Sequence, residues 1–275
     1  MSNEPTSPND LIVERRERGV VTLTFNDPER LNAMTRPMGE AFAERVAGLE
    51  ADPTLRALVL TGAGRAFSAG GDLEMIAARS EEAREQPGLA RRGVRDFMRS
   101  FYGLFLAVRR LPCPTIAAVN GHAIGAGLCV ALACDMRLVA SEARLGLNFT
   151  RLGLSPGMGA TWTLPRLVGP ALAAELLYSS RLLDGDEAAR SGLANRALPG
   201  DEVLPGALAL ADEIGSCSGE AVRATKRALE RSLESSLADQ LGFEAEQQAR
   251  LFEGDDVIEG IAATRERREP DFGRD

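Results

Sequence analysis

Two glycine-rich stretches hold the clearest capacity for chemistry. Residues 61–73 read TGAGRAFSAGGDL and residues 120–127 read NGHAIGAG. Each follows a short apolar run and precedes a helical pattern. Such a loop turns free backbone N–H groups toward whatever lies beyond the strand end, and the helix dipole favours negative charge there. Two of these loops side by side could hold one developing anion between two N–H groups, an oxyanion hole. The alternative is that each is a tight turn with close packing. Neither is a nucleotide P-loop, because no Gly-Lys-Ser/Thr follows, and GHAIGAG is out of register for G-x-G-x-x-G.

Other chemistry is limited by composition. His122 is the single histidine, which excludes a metal site built from several imidazoles. The four cysteines, 113, 129, 134 and 217, form no CxxC pair and read as buried thiols in a reducing compartment. Asp and Glu number 40 against 32 Arg and Lys, a net charge of -8, which argues against a broad nucleic-acid surface. Lys226 is the only lysine. The first ten residues are polar, and no apolar run reaches the length of a membrane span. The expectation is a cytoplasmic protein with no membrane span.

The elements that must position the loops follow from periodicity. Residues 1–10 read as a loose, disordered tail. Residues 11–15 and 20–25 flank Gly19 as a hairpin. Thr35 can cap a helix carrying Met38, Phe42, Val46 and Leu49 on one face. Residues 57–61, 115–120 and 136–140 read as buried strands. Residues 74–99 are dense in Arg, Glu and Ala, a solvated helical face broken by QPG, and Phe97 to Val108 continue as an amphipathic helix whose aromatics read as core. LCVALAC reads as a small-residue helix, and from Pro170 onward the pattern is almost wholly helical. Alternating strands and helices imply an α/β fold with a mostly parallel sheet. No internal repeat is visible.

Several motifs then agree in order and spacing. AFSAGGDL, AAVNGHAIGAGLCVALACDMRLVA, RLGLSPGMGATWTLPRLVG, ELLYSSRLLDGDEAARSGLANRALP and EGIAATRERREPDF together resemble the crotonase, or enoyl-CoA hydratase/isomerase, superfamily over residues 11–272. The resemblance implies a ββα spiral core over residues 11–195 and a C-terminal helical trimerisation region over 196–275. It implies a homotrimer or a dimer of trimers. It implies an acyl-CoA thioester as ligand, with no cofactor other than the coenzyme A of the substrate. The two oxyanion donors fall on the backbone N–H groups of Gly71 and Ala126. Ala69, Asp72 and Leu73 fall on the substrate-binding loop, Asp72 reading first as a helix cap. Arg65 and Lys226 fall where a basic residue contacts the phosphates of coenzyme A.

The sequence departs from the pattern at the acid and base. Hydratases of this superfamily use two glutamates; Cys129 and Phe149 stand at those positions. A third position used by some members is near Gly157, which offers no carboxylate. Cys129 and His122 read as packing and structural residues before catalytic ones. Glu74, Tyr102 and Asn148 are the polar groups that could reach the acyl chain, and the sequence does not choose among them. The expectation is an acyl-CoA enzyme with a non-standard reaction, such as decarboxylation, hydrolysis or weak hydration. The alternative is a non-catalytic acyl-CoA binding or sensing protein.

Overall fold

A computed structural model describes residues 10–273 of the chain. The tail expected at 1–10 lies, except for Asp10, outside the described residues. The hairpin forms as expected: β1 (Ile12–Glu17) and β2 (Val20–Phe25) pair antiparallel. Their turn places Arg18 and Gly19 at φ of 46° and 77°, left-handed values that suit a two-residue hairpin. Helix α1 (Arg36–Glu50) starts at Thr35, whose hydroxyl accepts the Met38 N–H at 3.3 Å, and it buries Met38, Phe42, Val46 and Leu49.

Next come β3 (Ala57–Gly62), β4 (Ala66–Ser68), α2 (Leu73–Glu85) and α3 (Leu89–Phe105). They are followed by β5 (Thr115–Val119), β6 (His122–Ile124) and α4 (Ala126–Ala133). Then β7 (Met136–Ala140), β8 (Leu145–Gly146) and α5 (Ala160–Ser179) appear. One sheet has the order β1-β2-β3-β5-β7-β9, where β9 is Arg196–Leu198, and all its pairs beyond the hairpin are parallel. A second, three-stranded sheet has the order β4-β6-β8. A strand in the large sheet, a strand in the small sheet and a helix therefore recur as one unit three times. This is the ββα repeat that the resemblance implied.

The structure corrects the reading of the glycine stretches as plain loops. Each contains a strand of the small sheet. A strand of three residues shows no alternation, so its sequence reads as turn.

Aromatic packing ties the two sheets to the helices. Phe25 of β2 lies 5.3 Å from Phe42 of α1 and 5.7 Å, edge-on, from Phe67 of β4, between ring centroids. Phe101 and Phe105 of α3 are 5.1 Å apart and fully packed in the same core. The aromatic spacing of α3 is therefore core packing, and through Phe25 it braces β2, the neighbour of the strand from which the first glycine loop departs.

The C-terminal part holds α6 (Gly185–Arg190), α7 (Gly200–Gly215), α8 (Gly219–Ser232), α9 (Leu237–Leu251) and α10 (Asp255–Glu266). The boundary expected at 196 falls inside the core. Strand β9 pairs with β7, and α7 packs on β2, β3, β5 and β7. Among the described residues no helix is long and apolar enough to cross a membrane.

Candidate active site

The two glycine loops meet. Their strands pair in parallel, Ala66 opposite His122 and Ser68 opposite Ala123. Gly70 has φ of 93°, and a Cβ added there would stand 2.5 Å from the Ile124 carbonyl oxygen and 3.5 Å from the Ala126 nitrogen. A Cβ on Gly127 would stand 2.7 Å from that of Ser68. Only glycine allows so close an approach of the backbones.

Hydrogen bonds occupy the neighbours of the two expected donors and leave those donors out. In the first loop, the Ala69 N–H donates to the Leu31 carbonyl at 2.8 Å. The Gly70 N–H donates to the Ser68 hydroxyl at 3.1 Å, and that hydroxyl donates to the Asn32 carbonyl at 2.7 Å. The Gly70 carbonyl accepts from Met34 at 2.8 Å. In the second loop, the Gly125 N–H donates to the Gly146 carbonyl at 2.8 Å, and Cys129 closes the first turn of α4 onto Gly125 at 3.1 Å. The N–H groups of Gly71 and of Ala126, first residue of α4, have no acceptor among the described residues. The N-terminal end of α4 adds the positive end of its dipole at Ala126.

Two asparagines hold the loops from behind, and sequence reasoning passed over both. Asn32, buried and at φ of 54°, donates to the Ala63 and Ala66 carbonyls at 2.9 and 2.8 Å and accepts the Asp27 N–H at 2.9 Å. Asn120 donates to the Gly62 and Gly64 carbonyls at 2.9 and 3.1 Å. For Asn120 its place at the start of the second glycine stretch is the available signal, since its amide can replace both halves of a peptide pair; Asn32, 29 residues before the first stretch, offers only the tolerance of asparagine for left-handed backbone.

The remaining expected residues divide. Arg65 and Ala69 are exposed on the first loop, and Leu73 is 63% exposed at the start of α2. Asp72 caps α2, accepting the Glu74 N–H at 3.0 Å, and pairs with Arg30 at 3.0 Å. Its carboxylate is thus a cap, as expected. Glu74 is exposed. The exposed imidazole of His122 accepts the Arg144 N–H at 2.9 Å through Nδ1, a structural contact.

Lys226 is a correction. It is 8% exposed, and its ammonium donates to the Cys113 carbonyl and to Asp135, both at 2.9 Å. Asp135 in turn accepts the N–H and hydroxyl of Thr115 at 2.8 and 2.9 Å. A buried ammonium already committed to a carboxylate is not free to hold a phosphate. Cys217 is a smaller correction, being exposed where Cys113, Cys129 and Cys134 are buried.

At the acyl end, Cys129 is buried, and burial pushes its thiol up to about 12. It stays protonated and does not act as a base at neutral pH. Phe149 packs against the core, half-buried. Asn148 Oδ1 lies beside Gly125, 2.9 Å from where a Cβ on that glycine would be. The Tyr102 hydroxyl stands over Gly157, occupying the space that a side chain at 157 would take. Among the described residues no group of three His, Cys, Asp or Glu is placed to hold a metal ion.

Comparison with known proteins gives a consistent result. The family model described as enoyl-CoA hydratase/isomerase matches residues 15–275. A crotonyl-CoA hydratase of Syntrophomonas wolfei is 34% identical over 265 residues, covering 96% of this chain and 97% of the relative. The human mitochondrial enoyl-CoA hydratase domain-containing protein 2 is 39% identical over 261 residues, covering 93% and 86%. The crystal structure of an enoyl-CoA hydratase from Bacillus anthracis superposes with a TM-score of 0.87 at 31% identity, covering 97% of this chain and all of that one.

Proposed function

The chain belongs to the enoyl-CoA hydratase/isomerase family, and from that premise we propose that it binds an acyl-CoA thioester with the carbonyl oxygen between the Gly71 and Ala126 N–H groups. The observation that carries this reading is the contact of the two loops at Gly70, with both flanking N–H groups free of acceptors among the described residues. When an electron pair moves onto the thioester oxygen, the resulting enolate-like anion meets two fixed donors and a helix N-terminus. Arg65, exposed beside the first loop, is the side chain we assign to the phosphates of coenzyme A, which enters as part of the substrate. Leu229, Leu233, Leu237, Leu241 and Phe252 are each more than half exposed in the C-terminal region. Such a row of apolar residues supports burial in a homotrimer or a dimer of trimers.

The reaction is not ordinary two-carboxylate hydration. Adding water across a double bond needs one group to take a proton from water and another to deliver one to carbon. Cys129 keeps its proton and Phe149 has none to give. The site suits steps that need the anion pocket and no strong base: decarboxylation, hydrolysis or slow hydration. The second reading is acyl-CoA binding or sensing without turnover, favoured by the neutral, apolar surroundings of Cys129 and Phe149.

The test is a panel of CoA thioesters (crotonyl, longer 2-enoyl, 3-enoyl, malonyl-type and saturated) incubated with the protein. Products are read by mass spectrometry and binding by calorimetry. Loss of CO2 or release of free coenzyme A is the expected outcome. Binding with no change of mass selects the second reading. Turnover of crotonyl-CoA at an ordinary hydratase rate overturns the argument from Cys129 and Phe149. Neither binding nor turnover removes the acyl-CoA assignment.

A further inference from the structure

We propose that the Tyr102 hydroxyl is a specificity-determining hydrogen-bond donor that selects acyl-CoA thioesters carrying an acceptor oxygen on carbon 3. This inference rests on the thioester site proposed above and adds its substrate class.

Three things place Tyr102 at the acyl end. An added Cβ on Gly157 would collide with its hydroxyl and lie 2.9 Å from its Cζ, so the ring tip stands directly over that residue. The Cys129 thiol reaches the same turn, its sulfur 3.8 Å from the Gly157 carbonyl oxygen. Cys129 lies one turn along α4 from Ala126, about 4.5 Å down the axis. Carbon 3 of an acyl chain is two bonds from the carbonyl carbon. An oxygen on carbon 3 can therefore approach this turn while the thioester oxygen remains at Ala126.

The chemistry of the group fits a donor. Its hydroxyl has no hydrogen-bond partner among the described residues. Burial, and then the neighbouring Cys129, raise its pKa above the usual phenol value, so it remains protonated and donates. Met158, the next residue after Gly157, is 3% exposed, and Cys129, 2% exposed, is the thiol at the same turn. A half-buried donor without an internal partner discriminates strongly, because a substrate without an acceptor leaves it unpaired. Its position is fixed by neighbours on α3, since Phe101 and Phe105 are 2% and 0% exposed.

The experiment compares 3-hydroxybutyryl-CoA, acetoacetyl-CoA and butyryl-CoA by calorimetry on the intact protein. Tyr102→Phe removes only the oxygen. The expected result is a loss of about tenfold in affinity for the two oxygenated thioesters and a change of less than about twofold for butyryl-CoA. Gly157→Ala is the second variant: its methyl displaces the hydroxyl without removing it, and the same selective loss is expected. An equal effect on all three thioesters, or none, overturns the inference while leaving the thioester site standing. Failure of the wild-type protein to bind any of them overturns the site itself.

Discussion

The role proposed for Ala126 is a backbone one, so a side-chain replacement does not test it. Proline does. At the first position of a helix, proline fits the backbone, removes an N–H that the helix does not use and sets its ring Cδ in the hydrogen's place. Ala126→Pro is expected to lower kcat about 10²–10³-fold on whichever thioester is turned over, while the thermal midpoint stays within about 3 °C of wild type. Ala126→Gly keeps the N–H and is expected to keep activity. Equal activity of both variants would show that this N–H binds no anion. The two glycine loops were legible in the sequence as runs of small residues before a helix, while Gly71 and Ala126 as the proposed donors came from the family resemblance. Tyr102 was legible only as one of three candidates. Its selection needed Gly157, 55 residues further along the chain, to come beneath it.

Among the elements, α8 gives the sharpest test. Its buried Lys226 bridges to Asp135 and to the Cys113 carbonyl, joining the C-terminal region to the start of β5 and the start of β7. Removing one partner of a buried pair leaves the other uncompensated. The Asp135 side chain is 33% exposed, so part of that cost is relieved by solvent. Lys226→Met is expected to lower stability by about 2–3 kcal/mol in denaturant unfolding and to leave affinity for coenzyme A unchanged. The opposite pattern would restore Lys226 as a phosphate contact. The sequence shows a lone lysine but not its partner, because Asp135 lies 91 residues away. The long strands and α1 were readable from periodicity and capping. The small sheet was not, since β4, β6 and β8 have three, three and two residues, too short for a pattern.

For the molecule as a whole, the buried thiols make alkaline pH the vulnerable side. Burial raises Cys113 to about 11 and Cys129 and Cys134 to about 12, against 9.0 for an ordinary thiol. Between pH 9 and these values the unfolded chain has lost protons that the native chain keeps. The native state therefore loses relative stability as pH rises through that window, and the contribution is complete below it. Each thiol can add a slope of up to about 1.4 kcal/mol per pH unit. Urea unfolding across pH 8–11 is expected to show this decline, with a shallower slope in Cys129→Val. An unchanged slope in that variant would show that the thiol is not the source.

Helix α2 bears on what such a molecule can become. The helix begins two residues after Gly71, behind the Asp72 cap, and none of its side chains is fully buried, Met75 alone of its apolar residues packing in part against the core. The strands that hold the two loops together, β4 and β6, lie outside it. Apart from Met75, which packs against the core, and Arg79, which lies over the Phe97 ring, its thirteen residues can therefore be rewritten or exchanged with little penalty to folding, while the surface they present beside the first glycine loop changes. Such a segment is an interchangeable part, through which a lineage can acquire new clientele and keep its scaffold.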